Sequence, residues 1–213
     1  MKRKILFGTI CCMVALVLAN PSTAQTTNKF TFNAGFGLTE PVRNSSRLDT
    51  GFNLTFAGGL NLTPNLGILG EFGFNQLGVT SRALAAIGVP NGASRIYSLT
   101  VNPIVHMNPH GRLDAYVVGG GGYYRRTLEF TEPTVTTVTL FDPFYGVFFP
   151  AAVPANTVGS FTQNKGGLNI GTGIEARLRE DGQTKFFAET RYHYIYTSPR
   201  ATKILPVTFG LRW

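Results

Sequence analysis

Along most of the chain apolar residues recur at every second position, the period of a strand whose two faces meet different surroundings. In the stretch 52–62, Phe52, Leu54, Phe56, Leu60 and Leu62 share one face with Gly58. Asn53, Thr55, Ala57, Gly59 and Asn61 share the other. The same alternation runs through 30–37, 66–75, 95–105, 113–126, 167–178, 185–196 and 204–213, so the pattern predicts eight strands. Pro64-Asn65, Asn108-Pro109-His110-Gly111 and Glu180-Asp181-Gly182 carry turn-forming residues and join consecutive strands tightly. The remaining connections, 38–50, 77–94, 127–166 and 197–203, are longer.

Short and long connections therefore alternate strictly, which separates two ends of a closed structure. About ten tilted residues suffice for a strand to cross the hydrocarbon of a bilayer. An antiparallel barrel with an even number of strands leaves no backbone group unpaired there. The expected fold is all-β: an eight-stranded antiparallel transmembrane β-barrel in a Gram-negative-type outer membrane. Short turns and both mature termini lie on the periplasmic side, and long loops lie outside. The competing fold, a soluble eight-stranded ligand-binding barrel, needs its apolar face inside.

The N-terminus changes what counts as the mature chain. Lys2, Arg3 and Lys4 precede an apolar run at 5–19, and Ser22-Thr23-Ala24 offers a small-x-small cleavage site, so 1–24 reads as a secretory signal and 25–213 as the barrel domain. The apolar run is shorter than the roughly 20 residues of a membrane-spanning helix. Cys11 and Cys12 leave with the leader, and thiol chemistry and disulfides leave with them. Three of the charges behind the formal +8 leave too, making it +5, and the rest are scattered, which argues against nucleic acid as a partner.

The last strand sets the orientation of the faces. Leu205, Val207, Phe209, Leu211 and Trp213 alternate with Pro206, Thr208, Gly210 and Arg212. Across the other strands the charged residues Glu71, Glu175, Arg177, Glu189, Arg191 and Arg212, with His193, fall opposite the apolar set. A Lys or Arg facing lipid near the midplane costs about 2–4 kcal/mol, so the apolar face must look outward and the charges into the lumen. Three carboxylates and three guanidiniums balance, which suits a mutually paired plug, because side chains can fill an eight-stranded barrel. A narrow gated conduit is the alternative.

The C-terminal alternation ending in an aromatic resembles the assembly signal of outer-membrane barrels, with Trp213 standing where phenylalanine is usual. Together with 116–124 (YVVGGGGYY), 171–175 (GTGIE), 188–192 (AETRY) and 207–213 (VTFGLRW), it makes residues 30–213 resemble the small eight-stranded outer-membrane barrels, the outer-membrane protein A transmembrane-domain, opacity and W-type group. The resemblance implies outer-membrane lipids, lipopolysaccharide and the barrel-assembly machinery as partners. It implies no particular activity, and no cofactor is demanded.

Tyr116, Tyr124, Tyr192, Tyr194, Tyr196 and Trp213 fall near strand ends, where interfacial girdles are expected. Arg47, Arg82, Arg95, Arg126, Arg200 and Lys203 border the long loops, where they could meet lipid phosphates or simply water. Gly119 to Gly122 could mark a bulge that reverses the parity of that strand. In the second long connection Ser81 reads as the cap of a short helix and Gly88 as its stop.

Catalytic constellations are weak, and the sequence reads as a non-enzyme. His106 and His110 straddle a turn rather than sharing a helical face, so no metal site is expected. A lipid A deacylase would pair a serine with a nearby histidine, whereas Ser198 is five positions from His193 and Glu189 faces inward. Glu129, Glu132 and Asp142 are too dispersed for an acidic protease rim. The unusual stretch is 127–166, where Phe141, Phe144, Tyr145, Phe148 and Phe149 crowd a loop that should be polar. It is either a self-packed hairpin extending two strands or a surface for adhesion, partner binding or a hydrophobic entry. The expected role is structural or surface-interacting, with a narrow channel or hydrophobic-solute transporter as the alternative and an unspecified extracellular ligand.

Overall fold

The computed structural model describes residues 29–42, 47–86, 88–132, 136–153, 156–178 and 184–213. The expected leader and the Glu180-Asp181-Gly182 turn lie outside them. In chain order the described elements are β1 Phe30–Pro41, β2 Leu48–Asn61, β3 Leu66–Val79, α1 Ser81–Ala85, β4 Asn91–His106, β5 Leu113–Glu132, β6 Thr136–Asp142, β7 Val147–Val153, β8 Asn156–Arg177, β9 Lys185–Ile195 and β10 Thr202–Arg212.

Eight strands close in the order β1-β10-β9-β8-β5-β4-β3-β2, while β6 and β7 form a separate two-stranded ribbon inserted between β5 and β8. Closure is made by β1 and β10, with Phe36 opposite Phe209 and Asn33 opposite Arg212. The last residue still joins the ladder: Phe32 N donates to Trp213 O and Trp213 N to Phe32 O. No sheet edge is left on the barrel, as lipid requires. Most strands continue past their apolar alternation toward the end that carries the long connections, the loop end, because ladder hydrogen bonds do not need apolar side chains. β5 and β8, at 20 and 22 residues, remain paired from Leu113 opposite Ala176 to Glu132 opposite Asn156. Most of the 127–166 connection is thus strand.

The outer surface is apolar: Phe36, Phe56, Leu99, Ile170, Phe209 and Leu211 are all exposed, whereas Thr208 and Arg212 on the alternate parity are buried. This is the reverse of a soluble barrel, and it removes the soluble alternative.

Three local expectations are corrected. Thr80, not Ser81, caps α1, since Ala83 N and Leu84 N both donate to its carbonyl while its backbone is extended. Gly88, at φ 70°, does end the helical turn. The Gly119 to Gly122 run contains no bulge, and its pairing with β8 is continuous from Val118–Gly171 to Tyr123–Gly166. Glycine is needed there for close approach, because a Cβ on Gly120 would stand 2.0 Å from Val101 O. Parity is therefore preserved. Tyr116 and Tyr124 point into the lumen, fully buried, rather than joining an interfacial girdle, while Tyr123 is exposed outside, as are Tyr196 and Trp213.

Candidate functional site

The lumen is built from the inward residues of all eight barrel strands and is layered. At its centre Arg191 on β9 donates from Nη1 and Nη2 to the two oxygens of Glu71 on β3 (2.8 and 2.9 Å) and from Nε to Glu189 Oε1 (2.7 Å). All three side chains are buried, so this bidentate guanidinium–carboxylate contact is shielded from water and salt. Neutral polar groups surround it. Tyr124 Oη and His193 Nδ1 share a 2.9 Å hydrogen bond, Thr208 donates to Asn53 Oδ1, Thr39 donates to Asn75 Oδ1, and the amides of Asn102 and Asn169 meet at 2.9 Å.

A second cluster lies toward the turn end. Glu175 is paired with Lys185 through Oε1 and with Arg212 through Oε2 (2.6 Å). The Arg212 guanidinium stacks between Tyr116 and Phe187, 4.7 and 5.2 Å from their ring centres. Beside it His106 Nδ1 meets Asp114 Oδ2 at 2.6 Å, and Asp114 Oδ1 accepts from the backbone of Asn108. Arg177 does not join this network as expected: at the end of β8 its guanidinium donates instead to Pro109 O in the neighbouring turn. Four buried carboxylates, Glu71, Asp114, Glu175 and Glu189, therefore face Arg191, Arg212 and Lys185, with His106 alongside Asp114.

Sequence reasoning missed Asp114, Lys185 and the His106 contact, although the alternation of β5 and β9 placed Asp114 and Lys185 on the inward parity. His106, Asp114 and Glu175 bring donor atoms within 4.8 Å of one another. Their oxygens are already engaged by Lys185, Arg212, Asn108 and His106 itself, so a cation there would have to displace two positive side chains.

The lumen is not charged throughout. Leu48, Leu77, Ile96, Tyr124, Ile195 and Ile204 pack into an apolar layer toward the loop end. Ala57, Leu69, Ile104, Tyr116 and Val118 form another cluster. Every one of these residues is buried inside the ring of strands. Apolar residues on the inward parity, such as Ile96 between Ser94 and Ser98, interrupt the polar pattern too briefly to be read from sequence.

On the outside, Leu205, Val207, Phe209, Leu211 and Trp213 continue the apolar surface, half-exposed or exposed. Arg95 and Glu129 pair at 2.7 Å near the loop end. Arg126, expected at a loop border against lipid phosphates or water, instead turns inward and donates to Thr202 Oγ1 (3.0 Å), because it shares the parity of buried Tyr124. His193 and Ser198 are not brought together: the histidine is buried against Tyr124, whereas Ser198 is exposed in the following loop.

In the ribbon, Leu140 pairs with Phe149 and Phe141 with Phe148, and Gly146, at φ 65°, makes the reversal. The rings of Phe141 and Phe148 are 5.0 Å apart and those of Phe144 and Tyr145 5.5 Å. Phe144 is nevertheless 89% exposed, Tyr145 75% and Phe148 71%. The side chain of Phe149 and those of Glu132 and Asp142 lie outside the described residues.

No curated protein matches the sequence. Among solved structures, Neisserial surface protein A superposes with a TM-score of 0.57 at 14% identity, covering 87% of this chain and 96% of its own. A major outer membrane protein from Thermus thermophilus gives 0.56 at 13% identity, with 86% and 97% covered. The outer membrane protein OprG from Pseudomonas aeruginosa gives 0.50 at 12%, with 86% and 95% covered. These likenesses are likenesses of fold. The family model described as outer membrane protein beta-barrel domain matches residues 9–212, and with eight strands closed around a polar interior and an apolar outer surface, the chain belongs to that family of the outer membrane.

Proposed function

We propose that this protein is a non-catalytic barrel with a closed lumen, working as an outer-membrane scaffold that presents the β6–β7 ribbon at the cell surface. The observation that carries the reading is a contrast. The interior is filled with ion pairs and packed apolar layers, whereas Phe141, Phe144, Tyr145 and Phe148 are exposed at a ribbon held between the two longest strands. Apolar groups placed so openly outside lipid suit contact with another surface. In this reading the short turns face the periplasm and the long connections face outward. Lipopolysaccharide surrounds the outer half, and the alternating C-terminal strand from Leu205 to Trp213 is the feature offered to the assembly machinery.

Two measurements test the proposal. Purified full-length protein in planar bilayers should give no conductance steps at high salt, with Arg191→Ala and Glu189→Ala also silent. Steps in the wild type that these substitutions alter would replace the scaffold by a channel. Cells carrying the wild type should partition into hexadecane more than cells carrying Phe144→Ser with Phe148→Ser at equal surface amounts. Equal partitioning would remove the ribbon from the role given to it.

A further inference from the structure

We propose that the loop-end mouth of the lumen binds a small oxyanion, a carboxylate or phosphate group, on Arg126 and Ser94. Arg126 faces inward on β5, half-buried, and reaches past β8 and β9 to Thr202 on β10. Its Nε is enclosed without a hydrogen-bond partner. Among the described residues no carboxylate lies within ion-pair distance of it. The other cations drawn into the lumen are matched: Arg191 has Glu71 and Glu189, while Arg212 and Lys185 share Glu175. A half-buried guanidinium without a counter-charge, its Nε enclosed, carries a desolvation cost that an anion from solution offsets.

A second orphan points to the same place. Ser94 on β4 is 0% exposed, and its Oγ has no partner. Across the β4–β5 ladder Ser94 stands opposite Leu128 and Ile96 opposite Arg126, so Ser94 and Arg126 are diagonal neighbours on one inward face. Both are level with the apolar layer of Leu77, Ile96, Ile195 and Ile204, since Leu77 stands opposite Ser94 and Ile96 opposite Arg126.

The hydroxyl chain fixes the direction of Arg126. Thr197 Oγ1 donates to Arg200 O, so in the 2.7 Å contact between Thr197 and Thr202 the proton comes from Thr202. Thr202 has then spent its only donor and can only accept, which it does from Arg126 Nη1. Thr202 is thus a positioning residue that aims the guanidinium. The groups left to meet a ligand are guanidinium N–H bonds and one hydroxyl free to donate, and a planar fork of N–H donors fits the paired oxygens of a carboxylate or phosphate. Lys165, opposite Tyr124 on β8, adds an exposed positive charge near this end.

The test uses the full mature chain, folded in lipopolysaccharide-free detergent and titrated with sodium phosphate or sodium acetate against sodium chloride at equal ionic strength. The wild type should show a saturable rise in the temperature at which the folded gel band is lost, with phosphate, acetate or both, and the two arms identify which oxyanion the mouth takes. Arg126→Met should abolish the response without lowering the ligand-free midpoint. Ser94→Ala should weaken binding about tenfold, the loss of one charge-assisted hydrogen bond. Arg125→Met, on the outward parity, should leave it unchanged. Should Arg126→Met fail to fold, the Nε–H resonance of Arg126 in the unsubstituted protein must shift on titration. The proposal is overturned if neither oxyanion gives a saturable effect beyond chloride, if Arg126→Met responds like the wild type, or if that resonance stays fixed. Ribbon variants should keep the full oxyanion response, so the outcome is separate from the scaffold reading.

Discussion

Tyr116 on β5 lies across Gly173 on β8, its directly paired residue: a Cβ added at Gly173 would stand 2.4 Å from Tyr116 Cζ and 2.5 Å from its hydroxyl oxygen. The same device recurs nearer the loop end, where a Cβ on Gly167 would stand 2.8 Å from the Tyr124 ring. Two bulky rings enter a narrow barrel because β8 offers no side chain beneath them. Tyr116 in turn forms one wall of the Arg212 stack, so backbone bareness on one strand positions a buried charge.

The first prediction follows from that contact. Gly173→Ala forces Tyr116 to move and should destabilise the folded barrel by about 1–3 kcal/mol, the usual cost of overpacking. Gly70→Ala is the control, since its nearest neighbour would be at an ordinary 3.7 Å. Urea unfolding in lipid vesicles followed by the heat-sensitive gel shift measures both, and equal stabilities would contradict the packing described.

The central triad predicts an asymmetric response to mutation. Arg191→Met strands Glu71 and Glu189 without their cation and should cost about 3–5 kcal/mol. Replacing all three residues together, Arg191→Met with Glu71→Leu and Glu189→Leu, should recover most of the loss, because no buried charge is then left unpaired. Unfolding midpoints of the single and triple variants decide the matter, and a triple variant as unstable as the single one would speak against it.

Removal of residues 136–153 should leave the barrel folded. β6 and β7 pair only with each other, while β5 and β8 are held together from Leu113 to Glu132 without them. The truncated protein should still show the heat-dependent gel shift and an unfolding midpoint close to that of the parent. A protein that no longer folds would show that the ribbon carries part of the scaffold's stability.

Single cysteines from 207 to 213 provide a direct check of orientation. Spin labels at 207, 209, 211 and 213 should collide with dissolved oxygen and those at 208, 210 and 212 should be shielded, following the exposure of Val207, Phe209, Leu211 and Trp213 and the burial of Thr208 and Arg212. The inverse pattern would turn the barrel inside out.

How far the sequence reaches can be traced residue by residue. Thr208 and Phe209 alternate so cleanly that their faces follow from the sequence, because a strand has one fixed period and a transmembrane strand two sharply different solvents. The same rule places Arg191 and Glu71 inside. Their mutual contact is not legible, since 120 residues separate them and pairing across a lumen depends on barrel shape. Nearness to predicted strand ends assigns Tyr116 and Tyr124 to the interface, whereas their parity turns both rings inward, and Arg126 is misplaced with them because strand pairing continues where apolar alternation stops.

What the sequence alone determined is the ladder: eight crossing strands, their inward and outward faces, the short and long ends, and the aromatic excess between residues 127 and 166. These follow from local periodicity and from the cost of unpaired backbone in lipid, which act on each segment separately. Tertiary structure alone decided which inward groups meet. The triad around Arg191, the shared Glu175, the glycines beneath the tyrosines and the unmatched Arg126 all arise where curvature brings distant strands across one enclosed volume, and that closure is a property of no single segment.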